Sequence, residues 1–119
     1  MAGNPRYSNG SRRRANRARL KAEGRGCWIC RAFGRDDTID YSLPARHPRS
    51  FEMDELVPVS KYWLGGYPTK QACADDYSNL DAAHRRCNQW RSNKSVAQVM
   101  ALAKKTREGM RELPQPWDF

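Results

Sequence analysis

Cys27 and Cys30 are separated by two residues, as are His84 and Cys87, and His84 lies 54 positions after Cys30. Thiolates and imidazole are donors that zinc accepts, and a two-residue spacer lets one turn of backbone present both donors of a pair to the same ion. One CxxC alone says little. Two pairs at chelating spacing in a short chain point to a tetrahedral zinc knuckle built from Cys27, Cys30, His84 and Cys87. A closed site of four protein ligands leaves no position for water, so this zinc would hold the fold rather than do chemistry. Cys73, in "KQACADD", has no near neighbour of its kind. It reads as a small apolar filler, with replacement of His84 as fourth ligand as the alternative.

A second group of chemically capable residues lies in "FEMDELVPVSK", Phe51 to Lys61, where Glu52, Asp54 and Glu55 precede an apolar run and Pro58. In a regular strand, residues two apart share a face, which puts Glu52 with Asp54 and turns Glu55 the other way. For Asp54 and Glu55 to serve one site, the strand must twist or end there, and Pro58 and Gly65-Gly66 supply such breaks. The plain alternative is an exposed acidic strand edge.

The elements that must position these groups belong to a small chain. With 119 residues, 39% of them apolar, and a mean hydropathy of −0.95, it is one domain with a modest core, so something besides apolar burial is expected to hold it together. A net charge of +9 and a pI near 9.8 call for a polyanionic partner, either nucleic acid or an acidic membrane surface. No apolar run approaches the roughly 18 residues of a spanning helix, and the basic N-terminus lacks the apolar stretch of a signal peptide. A soluble, cytoplasmic protein is the expectation. In that reducing setting four cysteines read as metal ligands or free thiols rather than disulfides.

Residues 1–25 form a basic arm, and the first 26 residues hold eight basic side chains against one acid, Glu23. Met1 to Gly10 is expected to lack regular structure, whereas "SRRRANRARLKAEG" reads as a short helix entered at Ser11 and left near Gly24. Its arginines, Arg12, Arg13, Arg14, Arg17 and Arg19, are spread around the helix and suit phosphate contact, with a solvated terminus as the plain alternative. Residues 26–94 make up the central unit. They begin with a knuckle and loops to Arg49, then a short strand from about Phe51 to Leu56, a turn at "LGGYP", and an extended piece in "NLDAAHRRCNQWRSNK" that becomes a helix near Arg85. That helix supplies Arg85, Arg86, Arg91 and Lys94 as phosphate contacts, with Trp90 either resting on sugar or base or packed in the core. Residues 95–119 hold a helix capped by Ser95, with Val96, Val99, Met100 and Ala103 at helical spacing, and a Pro-containing tail whose Trp117 and Phe119 could dock on the domain or a partner.

Together "CWIC", "FEMDELVPVS", "GG", "NLDAAHRRCN" and "NK" resemble the HNH endonuclease family. The likeness is greatest to small phage-encoded members with segments like "IDYSLP", "HP" and "SFE" at Ile39 to Pro44, His47 to Pro48 and Ser50 to Glu52. It runs from about Gly26 to Lys94. It implies an α+β fold of the ββα-metal (His-Me finger) type, in which two short strands and a helix surround one divalent ion distinct from the knuckle zinc. By position, Asp54 resembles the family's carboxylate ligand, Asn88 the helix residue that completes the protein's share of the coordination, and Asn79 the asparagine that holds the general base in place. Mg2+ suits such a site, since it keeps most of its waters and takes one or two protein oxygens.

Where the family has its histidine base, this chain has Glu55. Three readings stay open: Glu55 is the base despite a lower ordinary pKa than imidazole, it is an added metal ligand, or the domain binds DNA without cutting it. His47 is the one other histidine if His84 is on zinc. The resemblance therefore implies a metal-dependent DNA endonuclease, nicking with low sequence specificity and acting beside a phage terminase and portal in the host cytoplasm. The alternative is a non-catalytic zinc-knuckle protein that binds DNA or regulates a terminase. A membrane-surface role is the weakest, because the arm has no apolar residues to insert.

Overall fold

The computed structural model describes residues 10–109. Readings made for the first nine residues, and for the tail with Trp117 and Phe119, lie outside them. The arm is helix α1, Gly10–Glu23, stopped by Gly24 at φ +63°, a left-handed conformation that glycine adopts without steric cost. Its one buried residue, Leu20, is fully enclosed in the main core, so this helix is docked rather than free. Helix α2, Trp28–Ala32, follows with Cys27 as its N-cap, the thiol accepting from the Cys30 amide. Gly26 is required at this entry. A Cβ there would overlap the Asp37 carboxylate and backbone, which pass close enough for the Cys27 amide to donate to the Asp37 carbonyl at 2.7 Å.

Strand β1, Phe51–Glu55, pairs antiparallel with β2, Leu80–His84, with Phe51 opposite His84 and Glu55 opposite Leu80. The connection carries a 3-10 segment, Val59–Gly65, ended by Gly66 at φ +78°, then helix α3, Lys70–Asp75, capped by Thr69, and a 3-10 turn, Tyr77–Asn79. Helix α4, Arg85–Arg91, starts directly after β2 and packs back on both strands. Helix α5, Val96–Gly109, opens with a capping box: Ser95 Oγ accepts from the Gln98 amide, and Gln98 Oε1 accepts from the Ser95 amide. Val99 and Ala103 are fully buried, but Met100, expected on the same apolar face, is 45% exposed. The helix touches the core along a narrow stripe only.

The α+β class is therefore observed, and no helix among the described residues is long and apolar enough to cross a membrane. A two-stranded sheet has little independent stability in water. Here it packs against Leu20, Ile29, Phe33, Val99 and the cysteine cluster, while a second small core gathers Val59, Cys73 and Ala74 under the connection. The strands place Asp54 directly opposite Asp81. Each like-charged partner is offset by separate arginines, Asp54 by Arg91 at 2.6 Å and Asp81 by Arg25 at 3.5 Å and Arg31 at 3.7 Å.

Candidate metal centre and acidic cleft

The turn into α2 presents Cys27 and Cys30, and the β2–α4 junction presents His84 and Cys87. All four are buried, with ligand atoms within 4.8 Å of one another. Cys30 Sγ lies 3.4 Å from His84 Nδ1 and 3.6 Å from Cys87 Sγ, which in turn lies 3.8 Å from His84 Nδ1. Zinc–sulfur and zinc–nitrogen bonds of about 2.3 and 2.0 Å in a tetrahedron place donor atoms roughly 3.5–3.8 Å apart, so the cluster fits such an ion. His84 Nε2 donates to the Thr38 carbonyl at 2.9 Å, which leaves Nδ1 as the lone-pair donor. Three thiolates and a neutral imidazole around Zn2+ carry one net negative charge, and Arg35 offsets it by donating to Cys30 Sγ at 3.2 Å. The donor set can thus hold a structural metal such as zinc.

Without an ion the donors share protons. Contacts with the Cys27 and Cys87 thiols pull Cys30 far below the ordinary thiol range, whereas contacts with Cys27 and Cys30 push Cys87 up. The same cysteines, Cys27 first, raise His84 to about 10. A metal must displace those protons. Cys73 stays out of the cluster, buried and directed at the Val57 carbonyl at 3.5 Å, so the alternative fourth ligand is not adopted.

The acidic residues line a cleft of about 470 Å³ along the outer edge of β1, between α1 and α4. Because the cleft follows the strand's edge and not one face, Glu52, Asp54 and Glu55 all reach its wall, and β1 ends at Glu55. Comparison with protein-family models, curated proteins and solved structures finds no match to this chain. Its site is therefore judged on its own geometry.

Glu52 and Asp54 both turn toward α4, as alternation predicts. Asn88 Nδ2 donates to Glu52 Oε1 at 3.0 Å, which joins Asn88 to the cleft, and Arg85 lies 3.8 Å from Glu52. Asp54 is the more deeply buried. Its Oδ2 accepts from Arg91 at 2.6 Å and from the Trp28 indole at 2.8 Å. Burial raises the Asp54 carboxyl above its ordinary range, with Arg91 and Trp28 opposing. Glu55 faces α1, where Arg13 lies 3.8 Å from its Oε2.

Asn79 lies beneath the segment after Glu55. Its Oδ1 accepts from the Val57 amide at 2.8 Å and its Nδ2 donates to the Val57 carbonyl at 3.0 Å, while its own carbonyl accepts from Leu56 N. These bonds hold the backbone that carries Glu55. Replacing Asn79 with Ala should leave the half-buried Val57 amide without its acceptor and take one donor from the Val57 carbonyl, at a cost of about 1–3 kcal/mol read from urea denaturation midpoints. An unchanged midpoint would remove this bracing role.

The basic residues divide sharply. Arg91, expected at the DNA surface, is 3% exposed and committed to Asp54 and to the carbonyls of Glu55, Leu56 and Lys94. Burial of its ion-pair partner requires that correction. Lys94 donates to the Trp90 carbonyl at 3.0 Å and lies over the Trp90 ring, and Trp90 packs edge-on against Phe33 at 5.5 Å. Trp90 therefore follows the core reading. Arg86 and His47 line a different cleft with Arg35 and Arg49, so His47 is not brought to the acidic site. Trp28 and Thr38 escaped the sequence reading because their partners are distant in the chain, and Arg35 because no spacing marks an arginine five residues after a cysteine as its partner.

Proposed function

We propose that the chain is a metal-dependent, HNH-like DNA endonuclease of ββα-metal architecture that nicks phosphodiester bonds with little sequence specificity. The observation that carries this reading is the cleft at the β1 edge, where Glu52, Asp54, Glu55 and Asn88 converge beside the helix that follows β2. Carboxylate and amide oxygens are hard donors of the type Mg2+ takes. Asp54 or Glu52, with the Asn88 amide oxygen, would hold the ion, which when bound stabilises charge on the phosphate and leaving oxygen. Glu55 would take the proton of the attacking water, with Asn79 fixing its backbone. Action beside a phage terminase and portal, implied by the resemblance, belongs to the same proposal.

The test is supercoiled plasmid incubated with the protein and Mg2+ or Mn2+. Wild type should nick, Glu55→Ala should lose about 10²–10⁴-fold, the usual contribution of a general base, and Glu55→His should retain or gain activity. Absence of nicks above an Asn88→Ala background with either metal would overturn the nuclease reading. A second reading, DNA binding without cleavage, is favoured by the Asp54–Arg91 pair, which already neutralises the carboxylate matched to the metal ligand. It predicts plasmid binding with no nicking.

A further inference from the structure

Arg13 and Arg17 stand four residues apart on α1 and so share one face of it. Both line the acidic cleft. Arg13 lies 3.8 Å from Glu55, and the Arg17 guanidinium stands 4.6 Å from the centre of the Phe51 ring. A neighbouring face docks the helix: Asn16 donates to the Asp75 carbonyl at 3.4 Å, Arg12 lies 3.9 Å from the Asp75 carboxylate, and Arg19 stacks 3.7 Å over Tyr77. Leu20 anchors the same helix in the core, while Arg14 and Lys21 are exposed. The arginines spread around α1 therefore have different surroundings.

A cleft with carboxylates alone would repel a phosphodiester. Two guanidinia fixed across from them remove that obstacle, and a guanidinium can take phosphate oxygens through two parallel hydrogen bonds. The Arg13–Glu55 contact is long at 3.8 Å, and although the Glu55 side chain is only 10% exposed, Arg13 keeps 33% of its surface open beside the cleft, where its remaining N–H groups can meet a phosphate. We infer that α1 is the substrate wall of the cleft, with Arg13 and Arg17 gripping the backbone of the DNA strand laid over Glu52 and Glu55. This rests on reading the cleft as a phosphodiester site.

Two double variants of the full chain remove equal charge from the same helix: Arg13→Ala with Arg17→Ala, and Arg14→Ala with Lys21→Ala. Binding to a fluorescein-labelled duplex is followed by anisotropy against salt concentration, without Mg2+ or chelator, and plasmid nicking is measured in parallel. The cleft pair should lose about tenfold or more in affinity beyond the outer pair, and its salt slope should fall by about two, for two lost phosphate contacts. Equal losses for both pairs, or wild-type binding by the cleft pair, would overturn the inference. If the alanine cleft pair does not fold, Arg13→Lys with Arg17→Lys is read instead: it keeps the charge but should still bind several-fold more weakly, and wild-type affinity would count against the grip. The two proposals fail separately. A wild type that never nicks while the cleft pair loses binding removes the nuclease and keeps the wall; nicking and binding unaffected in the cleft pair does the reverse.

Discussion

Stripping zinc from the folded protein should unfold it. Structural zinc contributes an apparent 10–16 kcal/mol in small zinc-dependent folds at neutral pH, about the whole stability of an ordinary domain. Here the ion would join the α2 turn to the end of the two-stranded sheet and the start of α4, adding to the modest core and the Asp54 bonds that these pieces share. A strong chelator, or Cys87→Ser, should abolish the helical circular dichroism signal and the cooperative melt, with metal content falling from one ion per chain to near zero. Cys73→Ala should leave metal content unchanged, because Cys73 fills the second core and touches no ligand of the cluster. Acidification should release the ion, since protons compete for His84 and the thiolates, by about tenfold in affinity per pH unit for each proton displaced. A fully folded, metal-free protein with an unshifted melt would remove the knuckle's structural role.

The knuckle was legible because chelation imposes a spacing on each ligand pair, and that spacing survives whatever fold brings the pairs together. Helices α1 and α5 were legible for a similar reason: Gly24 and Ser95 are local signals for local bonds, and the structure adds Gln98 as the second half of the Ser95 cap. Strand β1 followed from its pattern between about Phe51 and Leu56, and the β2–α4 junction was placed by reading an extended piece that becomes a helix near Arg85. Helix α3 was missed although Thr69 caps it, its Oγ1 accepting from the Ala72 amide, because "PTKQACADD" is too short for a periodic pattern to emerge. The division of labour among arginines was not legible at all. Arg85, Arg86 and Arg91 lie on one short helix, yet only Arg91 faces a buried carboxylate, 37 positions earlier in the chain. A charged side chain carries no local mark of whether its partner is water, phosphate or an aspartate across the core.

Arg91→Ala should be the most damaging substitution outside the knuckle, costing about 3–5 kcal/mol, because it leaves Asp54 buried without its partner and strips a donor from the carbonyls of Glu55, Leu56 and Lys94. Asp54→Ala should cost a similar amount by stranding the guanidinium. The double variant Asp54→Ala with Arg91→Ala should cost less than the sum, since removing both charges removes both unpaired groups. Urea denaturation of the four proteins closes this cycle, and simple additivity would show that the pair is not coupled. The conservative change Asp54→Asn then separates structure from chemistry. An amide still accepts from Trp28 and Arg91 but offers no charge to a cation, so its destabilisation should be milder than that of Asp54→Ala. If Asp54 only holds Arg91, nicking per folded molecule should survive Asp54→Asn, and Glu52 with Asn88 become the metal's ligands. If Asp54 also binds the ion, nicking should fall while the fold persists, and raising Mg2+ or Mn2+ should recover part of it. The carboxylate that resembles a metal ligand is thus also the counter-charge of a buried arginine, and only a substitution that preserves the second role can report on the first.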